Sequence, residues 1–222
     1  MESVEKYIKN KYKNYGQFDN GYYNVTTALP EEMPKTMPLL DLYGLDDGLE
    51  GKWGLCDSNG KELIKPQYLF PLHKYDNLYM VSIPIQNEEG IIVHMLSGLV
   101  DENNNEVVPI KYGFMTPIDD DGNYFKVWDE ELEKDGIIDR NNNIIVPFVY
   151  DYISHYLKYD QIQISNNGLN GIYDLKLNKE IISPKYQSNT FRIEGYNLFG
   201  IEYGKNKIYI NEKEEIIRNE NE

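Results

Sequence analysis

One short string occurs four times along this chain. It is Gly54-Leu55-Cys56-Asp57, then Gly98-Leu99-Val100-Asp101, Gly136-Ile137-Ile138-Asp139 and Gly171-Ile172-Tyr173-Asp174. Each copy is followed by an Asn-containing polar stretch, a short apolar run and a proline: Pro66, Pro109, Pro147 and Pro184. The prolines lie 12, 11, 11 and 13 positions after their glycines, and the glycines are 44, 38 and 35 residues apart. A period of this length marks a tandem array of supersecondary units, none of which can bury its apolar face alone.

Each unit reads as a strand through the glycine, a polar turn, a second strand ending at the proline, and a third strand beyond. The turns at 57–60, 101–105 and 139–143 are rich in Asp and Asn, which tolerate positive φ and bond their own backbone, as hairpin turns require. Proline lacks a backbone donor and belongs at a strand end or an edge. A tyrosine follows it by two or three positions in every copy: Tyr68, Tyr112, Tyr150 and Tyr186. Third strands are read at 78–83, 124–128, 161–164 and 190–193, the last three alternating as strands with two unlike faces do. The recurring glycine points to positive φ or to close approach by a neighbouring strand or ring, such as an aromatic of the adjacent unit.

The expected fold class is all-β. Units start near 51, 95, 133 and 168, with a partial fifth near 197 at Leu198-Phe199-Gly200-Ile201, and the array spans 51–217. Steps near 40 residues also fit the blade of a small β-propeller. Three strands per unit read more clearly than four, so an open superhelical array is expected and the propeller is the alternative. Residues 1–50 read as a capping segment, since the ends of such arrays otherwise expose an apolar face. Val4, Tyr7, Ile8, Tyr12 and Tyr15 recur at helical spacing. They predict one short amphipathic helix over 2–15, with Glu2 and Glu5 early, Lys11 and Lys13 late, and Gly16 as its stop. Gly21 to Val25 reads as a degenerate strand, and Pro30, Pro34 and Pro38 make that stretch looped or extended.

The 222 residues carry a formal net charge of −15. Such a charge repels phosphates, which disfavours nucleic acid and anionic membranes, and it accelerates encounter with a basic protein. The 20 tyrosines suit half-buried strand faces. Cys56 is the single cysteine, so no internal disulfide is possible, and its repeat slot holds Val100, Ile138 and Tyr173 elsewhere. It reads as a small buried hydrophobe. No run approaches the roughly 18 apolar residues of a membrane helix, and the N-terminus lacks an apolar signal segment, so a cytoplasmic location is expected.

The stretch Gly51-Lys52-Trp53-Gly54-Leu55-Cys56-Asp57-Ser58-Asn59-Gly60-Lys61-Glu62-Leu63-Ile64-Lys65-Pro66-Gln67-Tyr68 resembles the bacterial WG-repeat (KWG-repeat) family. That family's pattern is Lys-Trp-Gly, a hydrophobic pair, Asp or Asn, a Gly-containing turn, an apolar pair, Pro and an aromatic. Later copies keep the glycine, the pair, the Asp and the Pro. They depart at the Trp slot, read as Ser97, Asp135, Asn170 and Phe199. The resemblance implies a β-rich repeat scaffold without a shared catalytic centre or common ligand. Some members look like parts of bacterial conflict systems or partners fused to other domains.

Little in the chain signals chemistry. His73, His94 and His155 fall at unrelated phases of the repeat, so they are not spaced as zinc ligands. There is no Gly-x-Ser-x-Gly elbow and no phosphate loop. Asp101-x-Asn103-x-Asn105 and Asp139-x-Asn141-x-Asn143 imitate the start of a calcium loop without its later glycine and glutamate, and their repeat phase marks them as turns. No cofactor or metal is expected. Asp119-Asp120-Asp121 and Asp129-Glu130-Glu131 bracket the strand at 124–128 and read as six carboxylates near one edge, able to grip a basic partner. Trp128 ends that strand and is the better interface candidate, whereas Trp53, in the aromatic slot, reads as core. The positions that define the repeat are Trp53, Gly54, Asp57, Pro66, Gly98, Asp101, Pro109, Gly136, Asp139, Pro147, Gly171, Asp174 and Pro184.

The function expected from these features is a non-enzymatic protein-binding repeat module, in its sharper form an immunity-type inhibitor of a basic toxin. One alternative is a hydrolase using the carboxylates of the acidic loops, which needs two carboxyl groups held face to face. The other is carbohydrate binding through exposed rows of tyrosine.

Overall fold

The computed structural model describes residues 3–12, 14–27, 52–68, 70–89, 92–154, 160–187, 190–192, 198–203, 206–211 and 213–220. The readings made for 30–38 and for His155 lie outside these residues. Backbone pairing among them builds five four-stranded antiparallel sheets and one short helix. The first sheet is β1 (Asn14–Gln17), β2 (Tyr23–Thr26), β3 (Trp53–Cys56) and β4 (Glu62–Tyr68). The second is β5 (His73–Tyr75), β6 (Leu78–Gln86), β7 (Ile92–Val100) and β8 (Glu106–Tyr112). The third is β9 (Phe114–Pro117), β10 (Tyr124–Asp129), β11 (Lys134–Asp139) and β12 (Ile144–Tyr150). The fourth is β13 (Tyr152–Ile153), β14 (Gln161–Asn166), β15 (Leu169–Asp174) and β16 (Lys179–Tyr186). The fifth is β17 (Thr190–Arg192), β18 (Leu198–Tyr203), β19 (Asn206–Asn211) and β20 (Ile216–Glu220). Strand order follows chain order in every sheet.

The chain is therefore nearly all β, with four strands per sheet where three read clearly from sequence. The added strands are short: β5 has three residues, β13 two and β17 three, too few for alternation to show. In the first four sheets the glycine lies on the third strand and the proline on the fourth, at the sheet's edge, where a missing donor does least harm. The register between those two strands shifts on both sides of Leu55, Leu99, Ile137 and Ile172, an identical bulge in four sheets.

That bulge explains the glycine. A Cβ on Gly54 would sit 2.3 Å from the Ile64 carbonyl oxygen and 2.7 Å from Pro66 N. On Gly136 it would meet the Phe148 ring at 2.6 Å. The crowding partner is thus the sheet's own fourth strand, not an aromatic of the adjacent unit. The fifth sheet is a natural control. Its third strand is β19, and the position matching the glycine is Ile208. There the register shifts once, next to Ile210, and the double shift is absent. The string Leu198 to Ile201 lies on β18, a second strand, so Gly200 and Phe199 do not occupy the glycine and Trp slots that sequence reading gave them.

The turn after each glycine strand is stapled by its aspartate. Asp57 Oδ1 accepts from the N–H groups of Asn59 (2.8 Å) and Lys61 (2.9 Å), and Asp101 Oδ1 from those of Asn103 and Asn105. Asp139 holds Asn143, Asp174 holds Leu177, and Asn211 plays the part in the fifth sheet. Gly60, Asn104, Asn142 and Glu214 supply the positive φ these turns need. The recurring tyrosine reaches onward: Tyr68 donates to Asn104 Oδ1 at 2.6 Å, Tyr112 to Asn142 Oδ1 at 2.9 Å and Tyr150 to Glu180 Oε1 at 2.6 Å.

Helix α1 spans Val4–Lys11, shorter than the predicted 2–15. Ser3 caps its first turn, and Tyr12 ends it in extended conformation. Asn14–Gln17 pairs with Tyr23–Thr26 instead, so Gly16 is a strand residue and not a helix stop, and Tyr15 leaves the helical stripe. Sheet pairing outweighs a helical spacing that only five residues supported.

The fold divides into two compact units, Met1–Met115 with Arg140–Asn142, and Thr116–Asp139 with Asn143–Glu222. In the first unit, Ile8 and Tyr12 of the helix pack on Tyr23, Val25 and Cys56, covering one face of the first sheet. Its other face joins Trp53, Leu55, Ile64 and Tyr68 to Tyr79, Val81 and Val100 of the second sheet. In the second unit, Ile137, Val146 and Tyr150 pack on Ile153, Ile162, Ile164 and Tyr173. Ile172 and Ile182 pack on Phe199, Ile201 and Ile210.

Candidate functional site

The two acidic stretches are not neighbours. Residues 119–121 form the β9–β10 turn and residues 129–131 enter the β10–β11 turn, at opposite ends of a six-residue strand. The strand holds them roughly 17 Å apart. Asp119 and Asp129 are also committed to their own turns. Asp119 Oδ1 accepts from Asn123 N at 2.9 Å and Tyr124 N at 3.1 Å, and Asp129 Oδ1 from Glu131 N at 3.0 Å and Leu132 N at 3.1 Å. The reading of six carboxylates near one edge is therefore corrected to two separate turns, and no carboxyl pair faces across a cleft between them.

Exposed apolar side chains lie in the second turn and near this end of the sheet. Leu132 is 56% exposed, Val149 50% and Tyr152 44%. Trp128 is half-buried and pairs with Asp135, which pairs in turn with Tyr150, so these three and the neighbouring Val149 sit at one end of the third sheet, while Tyr152 opens the first strand of the fourth. Glu130, Glu131 and Glu133 flank Leu132 in the chain and are exposed. The other sheets show what is unusual here. At the position of Val149, just before the tyrosine, they carry Gln67, Lys111 and Lys185; at the position of Ile144, 60% exposed, they carry Glu62, Glu106 and Glu180. The third sheet alone of these four presents an uncharged edge strand to solvent.

Beneath that end lies a buried ion pair: Lys126 Nζ is 2.8 Å from Asp135 Oδ2, with Lys126 4.4 Å above the Tyr152 ring. Asp135 Oδ2 also accepts from Ile153 N at 2.7 Å. This accounts for the departures at the Trp slot. Trp53 is core, 3% exposed, whereas Ser97 bonds Ser82 at 2.8 Å and Asn170 accepts from Gln163 and Ser165. Each polar replacement has its partner on the neighbouring second strand.

The first unit contains a cavity of about 410 Å³ on the second sheet. Met80, Ser82, Met95 and Ser97 form its floor, Phe70, Pro71 and His73 one side, and Gly113, Phe114 and Met115 another. Sequence reading passed over these residues. The available signals were the alternation Met80-x-Ser82 and Met95-x-Ser97, and the longest glycine step, which the nine-residue strands β6 and β7 absorb. Among the described residues, no group of three His, Cys, Asp or Glu side chains is placed to hold a metal ion. The tyrosines that follow the prolines are not exposed rows: Tyr68, Tyr112 and Tyr150 are at most 4% exposed.

No curated protein matches the chain. Among solved structures it is similar to Citrobacter koseri AztD at 12% identity, over 93% of this chain and 58% of that one, with a TM-score of 0.38. It is also similar to the dihydro-heme d1 dehydrogenase NirN in complex with DHE, at 9% identity, over 94% and 56% of the two chains, with a TM-score of 0.33. The chain thus spans less than two thirds of the length of either. The WG containing repeat matches at 53–68, 98–127 and 136–169, stretches that carry the glycine, the aspartate turn and the bulge of the first three copies and reach the glycine strand of the fourth. By these three stretches and the sheets they build, the chain carries WG containing repeats.

Proposed function

We propose that this repeat module is a non-catalytic binder of another protein, and that the partner seats on the end of the third sheet. The observation that carries this reading is the uncharged edge strand with Val149 exposed, next to a turn whose exposed Leu132 stands between Glu130, Glu131 and Glu133. An apolar centre inside a charged rim is the anatomy of a protein interface. The rim and the net charge of −15 favour a basic partner and speed its encounter. A basic toxin held by an immunity-type inhibitor is one such partner.

The test compares capture from a native cell lysate by the wild-type chain and by a Leu132→Asp, Val149→Asp variant, at low and high salt. A Lys111→Asp variant, changed at the matching position of the second sheet, is the control. The expected result is one basic protein whose retention is weakened by salt, falls about tenfold or more in the double variant and is unchanged in the control. Equal retention by the double variant places the contact elsewhere and ends this reading.

A further inference from the structure

The floor of the cavity departs from the repeat in a consistent way. The second-strand residue just before the partner of the repeat glycine is Asn24 in the first sheet, Lys126 in the third and Gln163 in the fourth. Each is polar and occupied. Asn24 donates to the Leu72 carbonyl at 3.0 Å and accepts from Leu72 N at 3.3 Å, Lys126 pairs with Asp135, and Gln163 donates to Asn170. In the second sheet that residue is Met80, which cannot make such a tie, and there the cavity opens. Among the four sheets that carry the repeat glycine, the rule is kept in three and broken in the second, with space left behind, and such a local departure marks a candidate functional position.

The register gives the cavity its shape. Met80 lies opposite His73, Ser82 opposite Ser97, and Pro84 opposite Met95. Those three rungs are spaced by two residues each, so the floor runs roughly 13 Å along the strands. Met80 and Met95 stand at opposite ends, too far apart for their sulfurs to share one metal ion. Thioethers, phenyl rings and a proline make up most of the lining, and flexible methionines adapt to varied apolar shapes. Midway stand the hydroxyls of Ser82 and Ser97, bonded to each other at 2.8 Å. That bond uses one of their two protons, leaving one donor and free lone pairs at the centre. Among the described lining residues there is no carboxylate, lysine or arginine. His73 is exposed, and desolvation by the surrounding protein lowers its pKa, which favours the neutral ring.

We infer that this cavity is a small-molecule site for an elongated, uncharged, largely apolar ligand whose one carbonyl or hydroxyl group meets the Ser82–Ser97 pair. Its volume lies in the range of ordinary ligand sites, and a charged ligand would lose its hydration without gaining a counter-charge. The site shares no residue with the protein-binding surface proposed above, so either reading can fail without the other.

The probe is N-phenyl-1-naphthylamine, neutral and elongated, whose fluorescence rises in apolar surroundings. Its anionic relative 1-anilinonaphthalene-8-sulfonate is the comparison, measured in high salt to screen the chain's own charge. The expected result is saturable one-to-one binding of the neutral probe, at least about tenfold tighter than the sulfonate. Ser97→Trp, which places in this slot the residue the first sheet carries at Trp53, fills the cavity and abolishes that binding. Met80→Asn, which restores the residue type of Asn24, weakens it about tenfold and serves should Ser97→Trp fail to fold. Leu132→Asp, in the other unit, leaves it unchanged. Absence of binding, equal affinity for the sulfonate, or full binding by a folded Ser97→Trp or Met80→Asn variant overturns the inference.

Discussion

At the scale of single residues, two glycines that look alike in sequence have unlike duties. Gly54 faces the backbone of its partner strand so closely that a methyl group would overlap the Ile64 carbonyl, while a methyl group on Gly16 would meet nothing within 4 Å. Backbone cannot step aside as a flexible side chain can. Gly54→Ala is therefore expected to cost about 3 kcal/mol or more, and Gly16→Ala well under about 1 kcal/mol. Urea denaturation of the two variants checks this, and equal losses would refute the close-approach account. The glycine's recurrence was legible from sequence, and so was a close approach as its cause. Which group approaches was not, because a bulge is a property of two strands in register.

At the scale of elements, α1 covers the first sheet through a small cluster. Ile8 is 0% exposed and packs with Tyr12 against Cys56, whose Sγ–H donates to the Tyr12 hydroxyl at 3.3 Å; that hydroxyl donates to Glu62 Oε2 at 3.0 Å. Burial raises the thiol pKa of Cys56 and so suppresses the reactive thiolate. Ile8→Ala is expected to cost about 3 kcal/mol. It should also speed alkylation of Cys56 under native conditions, since undocking a helix of eight residues exposes the thiol without unfolding the sheet. A variant with lowered stability but an unchanged labelling rate would show that helix and sheet open only together. The apolar spacing announced this helix but overran its end, because the pairing of Asn14–Gln17 with Tyr23–Thr26 is a non-local competitor that helical periodicity does not register.

At the scale of the whole molecule, charge sets the response to pH. Asp19 is held below its ordinary pKa of 3.8 by Lys74, and Asp151 by Lys134 and Asn167 N–H. At Asp101 burial opposes ionisation, but the side chain and backbone of Asn105 and the backbone of Asn103 outweigh it. A carboxyl group with a lower pKa in the fold contributes stability above 3.8, and that contribution is lost as the pH falls through the folded value. Stability should therefore hold from pH 7 to about pH 5 and decline below about pH 4. Asp101→Ala should cost about 1 kcal/mol at pH 7 and less toward pH 3, as the wild-type carboxyl is protonated too. Urea midpoints of both proteins across this range check the sign. A difference that widened on acidification would contradict it.

What the sequence determined by itself was everything local or periodic: the all-β class, the repeat, the turns stapled by Asp57, Asp101 and Asp139, the edge prolines and the presence of a helix at the start. Each of these follows from one residue type at one spacing, and spacing is what a sequence displays. Tertiary structure decided the rest. It separated Asp119 to Asp121 from Asp129 to Glu131, because a strand between two turns holds them at opposite ends. It left Leu132 and Val149 exposed at one end of the third sheet, and opened a cavity among Met80, Met95 and Met115, because contact across strands depends on register and on what a neighbouring side chain leaves unfilled.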